Sequence, residues 1–148
     1  MNLFGMLELS GSALGAERWR AEVVAANMAN AETTRTAAGG AYRRQMLLFR
    51  AQPMPRFPNA MKLALAHLHK TPDGGVRVER VVDDATPMPR RYEPGHPDAD
   101  SAGFVTYPNV NPVMEMADLL GAVRAYQLNA AAVQAAKSMI QQSLQILS

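Results

Sequence analysis

The chain has 148 residues, a formal net charge of +2 and 48% hydrophobic residues. That suits one domain, or one small domain with long helical arms, and it is too apolar for wholesale disorder. So small a charge reads as scattered solvated side chains, and a pI of ≈ 9.2 does not by itself argue for a nucleic-acid or anionic-membrane partner. With no cysteine there is no disulfide framework, thiolate metal site or thiol nucleophile, whichever compartment the chain works in.

The first segment, Asn2 to Ala31, is rich in Ala, Leu, Met and Val. It has no basic stretch before an apolar run, and Glu8 and Glu17 interrupt it, so it does not read as a secretory signal. No stretch reaches the length of a membrane-spanning helix. Met6, Leu9, Ala13, Ala16, Val23 and Ala26 share one helical seam; Leu3, Leu7, Leu14, Ala21, Val24 and Met28 fill a neighbouring one. The helix is expected to fail near Thr33, before Gly39 and Gly40.

The centre holds nearly all the prolines and most of the glycines, and reads as short strands and loops. Ala41 to Arg50 is expected to be extended. Lys70 to Val82 begins with a turn at Asp73-Gly74 and alternates Val76, Val78 and Val81 imperfectly with charged residues, which predicts a β-hairpin arm. Pro53 to Pro58 is a loop or linker.

The C-terminal segment carries the clearest periodicity. Met116, Leu119, Val123, Tyr126, Ala130, Val133, Lys137, Ile140, Leu144 and Leu147 alternate three and four apart, and only Lys137 is not apolar. Such spacing predicts a coiled-coil seam. Asn111 before Pro112 is a helix start, and Glu115 and Asp118 suit the positive end of the helix dipole. Beyond these, Arg124 and Lys137 are the charged residues up to Leu147. An ordinary surface helix turns a charged face to water; one this poor in charge needs cover on several sides, and other subunits are the natural cover.

The expected fold is therefore mainly α with a small β region. Long N- and C-terminal helices, roughly 40 and 50 Å at ~1.5 Å per residue, pair as an antiparallel coiled coil. Residues 1–34 and 110–148 form this discontinuous helical unit, and 35–109 the extended, β-hairpin and loop region between them. Alone, the apolar seams should leave the two helices partly unfolded until a neighbour covers them.

Nothing in the chain spells out a catalytic or cofactor site, and no cofactor or metal is expected. His67 and His69 form an H-x-H pair, but zinc wants three or four ligands and His96 is the remaining histidine. Asp98, Asp100 and Gly103 match part of a calcium loop, yet Asn109 stands where a bidentate Glu is needed, so an Asx turn is expected. No nucleophile elbow, P-loop or dinucleotide glycine motif occurs. Arg35, Arg43 and Arg44 beside Tyr42 read as solvated or inter-subunit salt-bridging residues, too few for a phosphate footprint.

Three stretches resemble the rod and hook proteins of the bacterial flagellum, and within them the proximal-rod type. They are V-V-A-A-N-M-A-N-A-E-T-T-R-T-A-A-G-G-A-Y-R-R-Q (Val23 to Gln45), Y-E-P-G-H-P-D-A-D-S-A-G-F-V-T-Y-P-N-V-N (Tyr92 to Asn111) and E-M-A-D-L-L-G-A-V-R-A-Y-Q-L-N-A-A-A-V-Q-A-A-K-S-M (Glu115 to Met139). The A-N-x-A-N signature is shared by the broad family; P-G-H-P-D-A-D and P-N-V-N belong to the proximal-rod type. Met28, Leu128 and Gln134 depart from the usual pattern, and Pro53 to Lys70 is not diagnostic.

The resemblance implies a structural subunit and not an enzyme. It implies export by the flagellar type III apparatus without a cleaved signal, helical assembly around the export channel in the basal body where the rod crosses the periplasm, and torque transmission to the hook. The implied partners are copies of itself, other proximal-rod proteins and the adaptor between membrane ring and rod, with no nucleic acid. A soluble helical adaptor or export chaperone is the alternative class, distinguished by forming small closed complexes. The candidate subunit interface is Leu7, Leu14, Asn27, Asn30, Met116, Leu119, Val123, Tyr126, Ala130, Val133, Ile140 and Leu144. The Asn27 and Asn30 amides, one turn apart, should either bond across to a neighbouring helix or cap the helix end.

Overall fold

The computed structural model of the protein describes residues 3–52 and 74–147. Two long helices dominate: α1 runs Leu3–Ala29 and α2 runs Pro112–Leu147. Between them lie four short strands, β1 (Gln45–Ala51), β2 (Val76–Asp83), β3 (Arg90–Tyr92) and β4 (Phe104–Thr106). His67, His69, Asp73 and the Pro53–Pro58 loop fall outside the described residues.

The helices pack against each other and run antiparallel. Asn27 meets Glu115 and Arg20 meets Asp118, while Glu17, Arg18 and Ala21 lie beside Ala122, Val123 and Tyr126. The paired helices of the expected fold are present, but the contact does not use the expected seam. On α2 the fully buried positions are Glu115, Ala122 and Ala136. Asp118, Ala125, Asn129 and Ala132 between them are half-buried. This stripe sits one residue ahead of Met116–Leu119–Val123–Tyr126. Small side chains at the contact let the two backbones approach, so the bulky seam turns aside. Leu119, Ala130, Val133 and Ile140 become its half-buried flank, while Met116, Val123, Tyr126 and Leu144 stay exposed. On α1 Ala16 and Val24 are buried, and Leu7 and Leu14 are half-buried.

The end of α1 comes at Ala29, before the Thr33 boundary expected from β-branching. The reason is local: Asn30 Nδ2 donates to the Ala26 carbonyl at 2.9 Å, and Thr33 Oγ1 donates to Asn30 Oδ1 at 3.2 Å, closing the last turn. At the start of α2, Asn111 Oδ1 accepts from Val113 N at 3.0 Å and Met114 N at 3.4 Å, the cap expected of Asn before Pro.

Strands β1 and β2 form an antiparallel pair from Gln45↔Asp83 to Ala51↔Val76. The register shifts between Leu48 and Phe49, which leaves Glu79 as an extra residue at the point where the Val76–Val78–Val81 alternation breaks. This ribbon lies on α1. Ser12 Oγ accepts from Val76 N at 3.2 Å and pins the start of β2 to the helix.

Strands β3 and β4 pair antiparallel, with Tyr92 opposite Phe104 and their rings edge to face at 5.3 Å. The loop between them closes as an Asx turn: Asp100 Oδ1 accepts from Ala102 N and Phe104 N, each at 2.9 Å. Asp98 accepts a 2.8 Å bond from Thr34 Oγ1 and lies 3.6 Å from Arg35, so this loop is tied to the segment after α1.

Candidate functional site

Two features stand out: a buried polar lock where α1, β1 and α2 converge, and an exposed apolar flank along α2.

The lock is built on Asn27. Its Nδ2 donates to the Gln45 carbonyl at 2.9 Å and to Glu115 Oε2 at 3.0 Å. Its Oδ1 accepts from Gln45 N at 2.9 Å and from Tyr42 OH at 3.0 Å. Both donors and both acceptor positions of the amide are filled inside the chain. Only 1% of Asn27 is exposed. Asn27 therefore ties α1 to β1 and to α2; its amide bonds across to a neighbouring helix, and that helix belongs to the same chain. Asn30, with the local bonds given above, is a helix-end cap.

Glu115, also 1% exposed, takes Arg44 Nε on its other oxygen at 2.7 Å. Burying a carboxylate is costly unless it is paired and hydrogen-bonded, and here both oxygens are used. Arg44 also lies 3.6 Å from Asp84 and 3.8 Å from Asp118. Burial opposes charge on the Arg44 guanidinium. The bond to Glu115 and the fields of Glu115, Asp84 and Asp118 outweigh that, holding it above its ordinary pKa. Tyr42 is raised by burial, then by Asp83 and Glu115, so its hydroxyl stays a donor to Asn27. Arg44 N donates to Asn109 Oδ1 at 3.2 Å, bringing in the segment two residues before the α2 cap.

The basic cluster expected from Arg35, Arg43 and Arg44 is thus divided. Arg35 pairs with Asp98, Arg44 is committed to Glu115, and Arg43 is exposed. Sequence reasoning placed Glu115 at the helix dipole and missed its pairing with Arg44; the available signal was an acidic pair, Glu115 and Asp118, on an otherwise nearly chargeless helix.

The second feature is apolar. Val113, Met116, Leu120 and Val123 are 75%, 53%, 59% and 42% exposed. They follow one another three, four and three positions apart, which aligns them along one side of α2, with Val123 at the edge nearest the α1 contact. The amphipathic face that a lone globule would bury is therefore partly turned outward. Among the described residues, no group of three or more His, Asp or Glu is placed to hold a metal ion, and no helix is long and apolar enough to cross a membrane. What this arrangement supports is mechanical: a stiff helix pair locked to a β ribbon, with an uncovered apolar flank.

The comparisons agree with that. Residues 101–146 match the family model described as flagellar basal body rod FlgEFG protein C-terminal. Proteins named flagellar basal-body rod protein FlgC are similar along nearly their full length. The one from Borreliella burgdorferi is 38% identical, with 99% of each chain covered. That from Bacillus subtilis is 34% identical over 99% of each chain, and that from Salmonella typhimurium 34% over 97% of each. At these identities over almost the whole length, the chain belongs to the FlgC family of flagellar basal-body rod proteins.

Proposed function

We propose that the chain is a proximal-rod subunit that leaves the cell through the flagellar type III export apparatus. It then packs with copies of itself, other proximal-rod proteins and the membrane-ring adaptor around the export channel. Family membership makes it a structural component of the basal body and not an enzyme.

The observation that carries the finer reading is the uncovered flank of α2. Fully burying a Val, Leu or Met side chain is worth about 1.5–3 kcal/mol. Four such residues in a row on one helix are a large reserve of stabilisation that the lone subunit leaves unused. A helical polymer uses it, because every subunit then meets a neighbour on that side. In the assembly the bulky Met116–Leu119–Val123–Tyr126 seam forms coiled-coil contacts between subunits while the small stripe closes the subunit itself. Leu7, Leu14, Ala130, Val133, Ile140 and Leu144 extend those contacts along both helices. Torque passes along these helix contacts toward the hook.

Fractionation tests the reading. The tagged chain should co-purify with detergent-extracted basal bodies. Recovery only in small, closed soluble complexes would assign it instead to an adaptor or export chaperone.

A further inference from the structure

We infer that the exposed α2 stripe of one copy docks on the outer face of α1 of a second copy, with Arg124 of the first beside Glu8 of the second. This rests on the rod-subunit reading and names the surfaces that reading leaves open.

The stripe is Val113, Met116, Leu120 and Val123, all more than two-fifths exposed. On α1, the side turned away from α2 carries Gly11 and Gly15. Both are exposed, and a Cβ placed on either would meet nothing within 4 Å. Glycine in a helix interior weakens the helix and offers no side chain to pack. What it offers is close approach for a neighbour.

The two surfaces fit in register. Leu120 and Met116 are four residues apart, as are Gly11 and Gly15. With the neighbour's α2 antiparallel to α1, Leu120 lies over Gly11 and Met116 over Gly15. Arg124, one turn beyond Leu120, then comes level with Glu8. Both are exposed, and neither has an ion-pair or hydrogen-bond partner among the described residues. The charges are opposite, so the match that buries the stripe also pairs them.

Charge complementarity points to a second copy as the occupant, because the exposed Glu8 that comes level with Arg124 belongs to this chain's own α1. Within one subunit α1 and α2 are antiparallel, so an antiparallel α2-on-α1 contact between subunits leaves both pointing the same way. The surfaces used are different on the two partners, so the contact does not close on itself and repeats from copy to copy.

The chain has no cysteine, which makes thiol cross-linking selective. A Gly11→Cys chain and a Leu120→Cys chain are expressed together in a strain lacking the natural gene, and purified basal bodies are oxidised. A disulfide dimer of twice the chain mass is expected in the mixture and at least tenfold less of it with either chain alone. Basal bodies that contain both chains but no dimer would place another rod protein on the stripe and overturn the inference while leaving the rod reading intact. Absence of the unsubstituted chain from basal bodies would instead sink the rod reading.

Charge reversal provides a second readout should either cysteine variant fail to assemble. Arg124→Glu and Glu8→Arg should each lower the number of basal bodies per cell several-fold, and the double reversal should restore it. Singles that match the parent, or a double no better than the singles, would overturn the pairing.

Discussion

Glu115 Oε2 accepts a hydrogen bond from Asn27 Nδ2 at 3.0 Å, joining residues 88 positions apart at the junction of α1 and α2. The same carboxylate takes Arg44 on its other oxygen. One side chain thus ties the first helix, the last helix and the lead-in to the β ribbon. It fixes the crossing of two helices whose remaining contact is mostly small residues.

Removing that carboxylate leaves Asn27 and Arg44 short of a partner in a buried place. Glu115→Ala should lower stability by about 2–3 kcal/mol. This is less than a wholly buried pair costs, because Arg44 keeps Asp84 and Asp118 nearby. Combined with Asn27→Ala in a double-mutant cycle, the two losses should be non-additive by about 1 kcal/mol. Urea unfolding followed by circular dichroism measures both; strict additivity would mean the two residues act separately.

The two asparagines of A-N-M-A-N should differ. Asn27→Ala strands the Gln45 N–H, the Tyr42 hydroxyl and Glu115, and should cost about 2–3 kcal/mol. Asn30→Ala loses a local cap and should cost about 0.5–1 kcal/mol. Equal effects in the same unfolding measurement would contradict the assignment of lock and cap.

Little of this pairing was legible in the sequence. Helix spacing gave α1 and α2, Asn111 gave the α2 start, and Asp100 gave the Asx turn, because each depends on neighbours a few residues away. The Asn27–Glu115–Arg44 lock depends on tertiary convergence, which spacing does not encode. The seam was displaced by one residue because periodicity weights the largest apolar side chains. Helix approach here favours the smallest, Ala122 and Ala136. The same substitution of small for large explains why the residues that looked like internal core lie on the outer flank.

Acid should loosen the central region in a defined direction. Asp84 is held below its ordinary value of 3.8 by bonds from the Thr86 hydroxyl and backbone N–H, aided by Arg44. Asp100 is lowered by the N–H groups of Phe104 and Ala102, aided by Arg90. A carboxylate lowered on folding contributes stability above its unfolded pKa and loses it as pH falls through the folded value. The melting temperature should therefore hold level from pH 7 to about pH 5 and fall below about pH 4. Asp100→Asn should make that fall shallower; an unchanged slope would show that the loop does not feel the charge.

Gly103 has φ of +80°, and a Cβ there would meet Tyr92 Cε2 at 2.8 Å. Gly103→Ala should destabilise the β3–β4 turn by about 1–2 kcal/mol. Faster hydrogen exchange at the Glu93 amide, which bonds the Gly103 carbonyl at 2.9 Å, reports it directly.

The free subunit should be folded near the lock and frayed far from it. Circular dichroism of the dilute monomer should give less helix than 27 and 36 residues of α1 and α2 represent, rising as concentration drives assembly. Full helicity with a sharp cooperative melt at every concentration would show that the apolar flank needs no neighbour.

Deleting the gene and imaging the resulting basal bodies by electron microscopy tests the central claim most directly. If the chain is a proximal-rod subunit, the mutant keeps its membrane ring but has no rod, hook or filament. Intact rods and hooks in that mutant would contradict the account.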